Sequence, residues 1–354
     1  MNFAFSRPLQ YNKRVDRDNK VLTYSAAFIA VLGLGVILRL ARPVLFPFCL
    51  ALFLYFIIAP ALEGLRRLKV SRTVSLIIII VVTVVVLYLL AVLFYTSGKT
   101  FAADFPAYGQ KLRTLLESLQ ERFKIPQSKF DLLAWVDGLD VNRVGTWLLS
   151  SLGTFFSLLG NLLLILVFLV FMLAGRGKLN AKIKRFNTPQ QSSQLIAILE
   201  KIDRQVQKYL ALKTIISLAG GLLTILLLVI FGVHYAVAFG FFTFLLNYIP
   251  NIGSFISKLV PFLFAILQFG GFWKAFWLLM IMTAIDGVLG MIVEPRLMGR
   301  SLGLSPLAIL FALFFWGWLW GIPGMVLAVP ILAILKIVAA NFPSTRWLEG
   351  LLSK

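Results

Sequence analysis

Cysteine and histidine each occur once in this 354-residue chain, as Cys49 and His234, and acids are scarce, 14 Asp and Glu against 34 Lys and Arg. A single cysteine excludes an internal disulfide and any CxxC or Cys-cluster metal site. Cys49 lies in an apolar run and reads as a small core or lipid-facing group. His234, in "FGVHYA", lacks the neighbouring ligands that a metal site needs and reads as a solvated residue of an interfacial loop. No HExxH or GxSxG motif occurs, and the apolar spans offer neither a second facing Asp nor a His beside a Ser. These absences speak against a membrane enzyme and imply no cofactor.

What is present is apolar: 60% hydrophobic residues, 14% charged and a mean hydropathy of +0.92. Such values lie outside the soluble range. Several windows exceed the roughly 20 apolar residues that cross a bilayer core of about 30 Å. The first apolar segment ends in "LRLARP" without the small-residue cleavage site of a secretory signal, so the chain is expected to be retained whole. The net charge of +20 could suggest nucleic acid, but its placement argues for orientation signals instead. Residues 1–20 carry Arg7, Lys13, Arg14, Arg17 and Lys20, and 60–72 carry Arg66, Arg67, Lys69 and Arg72. Residues 176–213 hold nine bases against Glu200 and Asp203, whereas 96–146 balance seven bases with six acids. The balanced loop is expected outside the cytoplasm and the three basic segments inside.

Counting crossings organises the chain. A basic cytoplasmic N-terminus (1–20) precedes three transmembrane helices within 21–95: 21–38 outward, 44–62 inward and 73–95 outward. An extracytoplasmic amphipathic loop (96–145), a returning helix (146–175) and the basic cytoplasmic connector (176–213) follow. The remaining core, 214–340, ends in a short cytoplasmic tail, 341–354. Within it 214–232 leaves the cytoplasm and 276–293 returns, so 235–268 must cross an even number of times; the same holds for 304–338. Each must therefore break in its middle. "LLNYIPNIGS" (245–254) concentrates Asn247, Pro250, Asn251 and Gly253, and "WGWLWGIPGM" (316–325) concentrates Gly317, Gly321, Pro323 and Gly324.

The predicted fold is thus an all-α polytopic membrane protein with two broken or re-entrant hairpins entering from opposite faces. Backbone groups freed at such breaks are tolerated only against protein or a water-filled cavity. Transporters place substrate and ions there; a packing kink is the plainer alternative.

Only two acids lie between 214 and 340. Asp286 falls near the centre of its span, where an ionisable group is costly unless it faces protein or water. It is the candidate coupling carboxylate, with a structural hydrogen bond to a freed backbone donor as the alternative. Glu294, beside Pro295, is expected to pair with Arg296 or Arg300 or to cap a helix end. Lys258 could neutralise Asp286 or meet an anionic substrate, but its apolar run favours snorkelling to the interface. Phe105, Tyr108, Leu112, Leu115, Leu119 and Phe123 recur at helical spacing and predict an amphipathic helix over 104–124. In the connector Leu195, Ile198, Ile202, Val206 and Tyr209 repeat the pattern, and its basic face suits anionic lipid.

"FLLNYIPNIGSFISKLVP", followed by "DGVLGMIVEPRLMGRSLGLSPLAILFALFFWGWLWGIPGMVLAVPILAILK", resembles the signature of the autoinducer-2 exporter family of bacterial permeases. The matching positions are Asn247, Ile249, Pro250, Gly253 and Pro261, then Asp286, Glu294, Pro295, Gly299, Leu304 and Pro306, and finally Gly321, Gly324 and Pro330. Ser254 departs from the small residue or proline often found after that glycine. The resemblance implies an inner-membrane transporter of about eight membrane segments with a pseudo-inverted repeat, assembled as a homo-oligomer, pentamers included. It also implies export of a small furanone-type signal, or sodium and lithium extrusion against protons. A carrier working by alternating access is expected, with membrane lipids and a small solute or ion as partners; an oligomeric channel is the alternative.

Overall fold

The computed structural model describes residues 35–123, 162–298, 302–342 and 345–353, with three isolated helical positions before residue 35. Among these residues every regular element is a helix, and the one β contact is an isolated bridge between Leu304 and Ser353. In chain order the helices are α1 (Arg42–Arg67), α2 (Arg72–Phe123), α3 (Leu162–Phe186), α4 (Pro189–Phe231), α5 (Ala236–Leu246) and α6 (Ile252–Phe269). They continue with α7 (Phe272–Gly287), α8 (Glu294–Met298), α9 (Pro306–Trp320), α10 (Ile322–Asn341) and α11 (Arg346–Leu352); a π-helical turn, Val288–Val293, joins α7 to α8. Six helices are long and apolar enough to cross a bilayer, or seven when the pair Leu162–Gly175 and Leu179–Phe186, bent by 66°, counts as one. The chain is an all-α polytopic membrane protein. Most of the expected span 21–38, residues 146–161 of the expected span 146–175, and the loop after residue 123 lie outside the described residues.

Two expected boundaries are replaced by continuous helices. The span 73–95 and the amphipathic stretch 104–124 belong to one 52-residue helix, α2. The connector from residue 189 and the span 214–232 form the 43-residue α4. Side-chain polarity changes at the water boundary, but the i→i+4 backbone pattern runs through it. Helix ends come from local chemistry instead. Thr188 and Gln191 form a capping box with Pro189 at the first helical position, and Gly232, at φ 71°, closes α4 in the left-handed region, as a C′ glycine does.

In lipid, burying a leucine against another helix releases no water, so close packing must hold the helices together. The α4–α5 contact illustrates this: a Cβ on Gly240 would stand 2.7 Å from the Gly221 carbonyl oxygen, and one on Gly221 2.8 Å from that of Gly240. The backbones touch, which only glycine allows. Two buried clusters result. The larger joins α1, α3, α4, α9 and α10, with Leu169, Leu210, Leu313 and Ala328 fully buried. The smaller joins the far end of α4 to α5, α6 and α7 around Leu228, Ala265 and Leu278, and takes in Tyr108 from α2.

Candidate functional site

Helices α5 and α6 form the first hairpin, and its tip is where Pro250 stops the helix by lacking an N–H and crowding the preceding turn. The tip tightens first, Tyr248 N–H bonding Leu245 O at 3.3 Å and Ile249 N–H bonding Leu246 O at 2.8 Å, before Ile252 N–H turns to Pro250 O at 2.7 Å. Asn251 carries the chain across at φ 60° and ψ −52°. That conformation is sparsely populated by any residue with a Cβ and stores about 1–3 kcal/mol. Gly253 lies so close under the end of α5 that a Cβ there would stand 1.7 Å from Leu246 O. Among the described residues the carbonyls of Asn247 and Tyr248 accept no hydrogen bond.

Two contacts of Tyr248 hold this tip. Tyr248 donates to Thr214 Oγ1 at 2.7 Å, Thr214 donates in turn to Leu210 O at 2.7 Å, and the Tyr248 ring meets Phe53 of α1 edge-on at 5.6 Å. The Asn247 amide nitrogen lies 3.7 Å from where a Cβ on Gly220 would be. The site therefore borders a stripe on α4 that sequence reasoning missed: Lys213, Ser217, Gly220, Gly221 and Thr224, three to four residues apart and all buried. Ser217 Oγ is fully buried and has no partner among the described residues. The spacing of small and polar residues in an apolar helix was the available signal.

Two of the expected charge assignments are corrected. Lys258 does not snorkel; its Nζ lies 3.0 Å from Asp286 Oδ2, with both side chains about four-fifths buried (18% and 20% exposed). Asp286 Oδ2 makes no aligned hydrogen bond, so the contact is ionic. The hairpin decides this, because α6 and α7 turn back at Gly270, φ 62°, and set Lys258 level with Asp286. Glu294 is paired with Lys213 and not with Arg296: Lys213 Nζ holds both its carboxylate oxygens at 2.9 Å. Arg296 is exposed and pairs with no acid among the described residues, and Arg300 lies outside them. A part-buried ion pair adds little net stability, yet removing one partner strands a charge at a cost of about 3–5 kcal/mol when burial is complete.

The second hairpin, α9 and α10, turns on Gly321 alone, at φ 73° and ψ −154°, a region open essentially to glycine. Gly324 repeats the role of Gly253, since its Cβ would stand 2.1 Å from Trp316 O, and Gly317 makes room for Met325. Pro323 starts α10, where its missing N–H costs nothing. Trp320 is buried against Trp316 at 4.7 Å and Phe46 of α1 at 6.1 Å. Both tips thus reach α1, at Phe46 and Phe53, about 10 Å apart along its axis. Beside the second tip the Arg39 guanidinium lies over the Trp318 ring, 5.8 Å from its centroid, and the structure does not bring Gly321, Pro323 and Gly324 to Asp286.

His234 is not simply solvated. Its Nδ1 lies 3.2 Å from the Tyr108 hydroxyl, its backbone N–H donates to Gln268 Oε1 at 2.8 Å, and the next residue, Tyr235, donates to the Asp104 carboxylate. Burial, then the Asp104 bond, raises the Tyr235 phenol well above its ordinary pKa, and burial followed by Asp104 raises that of Tyr108. Both hydroxyls therefore stay protonated at neutral pH.

A sequence model described as AI-2E family transporter matches residues 26–344. The chain belongs to the AI-2E transporter family. It is 33% identical over 332 residues to the AI-2 transport protein TqsA of Escherichia coli (strain K12), covering 92% of this chain and 95% of that protein. It is 32% identical over 341 residues to a putative transport protein of Haemophilus influenzae, covering 92% and 94%. The putative transport protein YhhT of Escherichia coli (strain K12) is 30% identical over 323 residues, covering 91% of each. This AI-2E family member is accordingly a multi-pass membrane transporter and not an enzyme.

Proposed function

We propose that this protein is a secondary-active carrier of the bacterial inner membrane, moving a small solute or ion by alternating access along a path bounded by the first hairpin tip and Asp286. The observation that carries the reading is the Asp286–Lys258 ion pair on the same hairpin as a strained tip with free carbonyls. Freed carbonyls and an intramembrane carboxylate are what a cation or a polar solute needs in place of water. Exchange of sodium or lithium for protons and export of an autoinducer-2-like signal both suit this chemistry, and the charged pair favours the cation. Asn247, Pro250, Asn251 and Gly253 shape the path, Asp286 takes the ligand, and Lys258 holds Asp286 when the ligand is absent. The second hairpin, with Gly321, Pro323 and Gly324, forms the facing wall. Connector and termini lie on the cytoplasmic side in a homo-oligomer.

The test is ion-driven flux in proteoliposomes, following internal pH under Na⁺, Li⁺ or K⁺ gradients with Asp286→Asn beside wild type. Saturable proton movement that follows a cation gradient and is lost in the folded variant is the expected result. Movement unchanged in Asp286→Asn removes that residue from the path, and unsaturating conductance replaces the carrier with a channel.

A further inference from the structure

The run from Phe272 to Met298 is not one uniform α-helix. At the π-helical turn Val288–Val293 the Glu294 N–H reaches back to Leu289 O, five residues earlier. Pro295 accounts for it. In a regular helix the proline ring would collide with the carbonyl of residue 291, and widening the preceding turn moves that carbonyl aside.

The wide turn has an angular consequence. Asp286 and Glu294 are eight residues apart, which on an unbroken α-helix leaves them about 80° apart around the axis. One extra residue absorbed in the turn subtracts about 100° and leaves an offset of about 20°. The two carboxylates then share one face, about 10.5 Å apart along the axis. Each meets a lysine from a different helix, Asp286 from α6 and Glu294 from α4. Between them the Leu289 side chain lies 3.4 Å from where a Cβ on Gly220 would be, so α4 closes the interval.

We infer that Lys213–Glu294 is a second charged station on the same path, a gate at the connector end, brought into line with Asp286 by the π-turn that Pro295 imposes. The inference rests on the reading of Asp286 as a pathway residue. A cation leaving Asp286 towards the connector meets a carboxylate whose two oxygens are already held by Lys213. It passes only when that pair opens. Lys213 is 5% exposed and Glu294 27%, so the closed gate leaves no buried charge unpaired, and Glu294 can receive the ion when Lys213 withdraws.

The test places one reporter, Leu289→Cys, between the stations in a Cys49→Ser background with both charge pairs intact. A membrane-impermeant cationic methanethiosulfonate is added from the connector side of oriented vesicles. Labelling is expected to be slow. It should rise about tenfold in Lys213→Met or Glu294→Gln, which corresponds to about 1.4 kcal/mol of lost closure. The charge swap Lys213→Glu with Glu294→Lys should restore slow labelling, which a misfolded protein would not do. Pro295→Ala, which lets the turn close to a regular helix and sets Glu294 about 80° from Asp286 around the axis, should open the gate as Glu294→Gln does. Labelling indifferent to the pair, or not restored by the swap, overturns the gate. Loss of flux in Asp286→Asn with labelling indifferent to the pair sinks the gate alone. Gated labelling with flux intact in Asp286→Asn keeps the gate and sinks the reading of Asp286.

Discussion

The two hairpins have the same backbone device and opposite surroundings. Each passes a glycine directly beneath a carbonyl of the incoming helix, Gly253 under Leu246 and Gly324 under Trp316. The first crosses on a strained asparagine, leaves two carbonyls unpaired among the described residues and carries one member of an ion pair on its outgoing helix. The second crosses on a glycine at no strain and buries a tryptophan against α1, and the one lysine of its outgoing helix, Lys336, donates to the Leu302 and Gly303 carbonyls. A break in a membrane helix is therefore not by itself a site. What separates the two is the strained Asn251 and the Lys258–Asp286 pair at the first.

The sharpest way to test the shared part is Gly253→Ala beside Gly324→Ala. A methyl cannot be accommodated at 1.7 or 2.1 Å from a backbone oxygen, so each should cost about 4 kcal/mol or more and remove most folded protein. Detergent size-exclusion profiles measure this; one hairpin tolerating alanine would end the equivalence. Gly220→Ala, with its nearest neighbour at 3.4 Å, is the tolerated control.

The next effect should differ in sign between the hairpins. Asn251→Gly relieves a positive φ and should raise stability by up to about 1 kcal/mol while slowing transport, if the strain serves motion. Gly321→Ala forces a Cβ into a region it does not occupy and should lower stability by about 1–3 kcal/mol. Thermal unfolding reads both. A destabilised Asn251→Gly would show that the asparagine side chain, and not its backbone, matters.

Smallest is Tyr248→Phe, which removes the bond to Thr214 but leaves Thr214 bonded to Leu210 O. It should cost about 1 kcal/mol and loosen only the first tip, seen as faster amide exchange at 248–252 with 321–325 unchanged. Equal loosening of both tips would mean that α1 couples them.

The break at Asn247–Asn251 was legible because Pro250 lacks an N–H and Gly253 lacks a side chain; both are local facts. Asp286 was legible because a lone carboxylate in an apolar span demands a partner. Its partner, Lys258, was legible only as one alternative, with snorkelling favoured over it. Lys258 lies 28 residues away, and only the turn at Gly270 puts the two at one height. Lys213 looked like another connector base, because loop charge counts cannot tell a base facing water from one turned inward. The continuity of α2 and α4 was hidden for a related reason: hydropathy marks where the membrane ends, and a helix need not end there.

The sequence by itself determined that this chain crosses a membrane repeatedly, that it is a transporter of its family, and where its helices must break. The crossings follow from side-chain transfer energies, and the breaks from the N–H that proline lacks and the Cβ that glycine lacks; both act within a few residues. Tertiary structure decided which lysine meets which carboxylate and on which face Glu294 lies. Those depend on the register between helices and on one wide turn, and no single stretch of the chain encodes the distance between two helices.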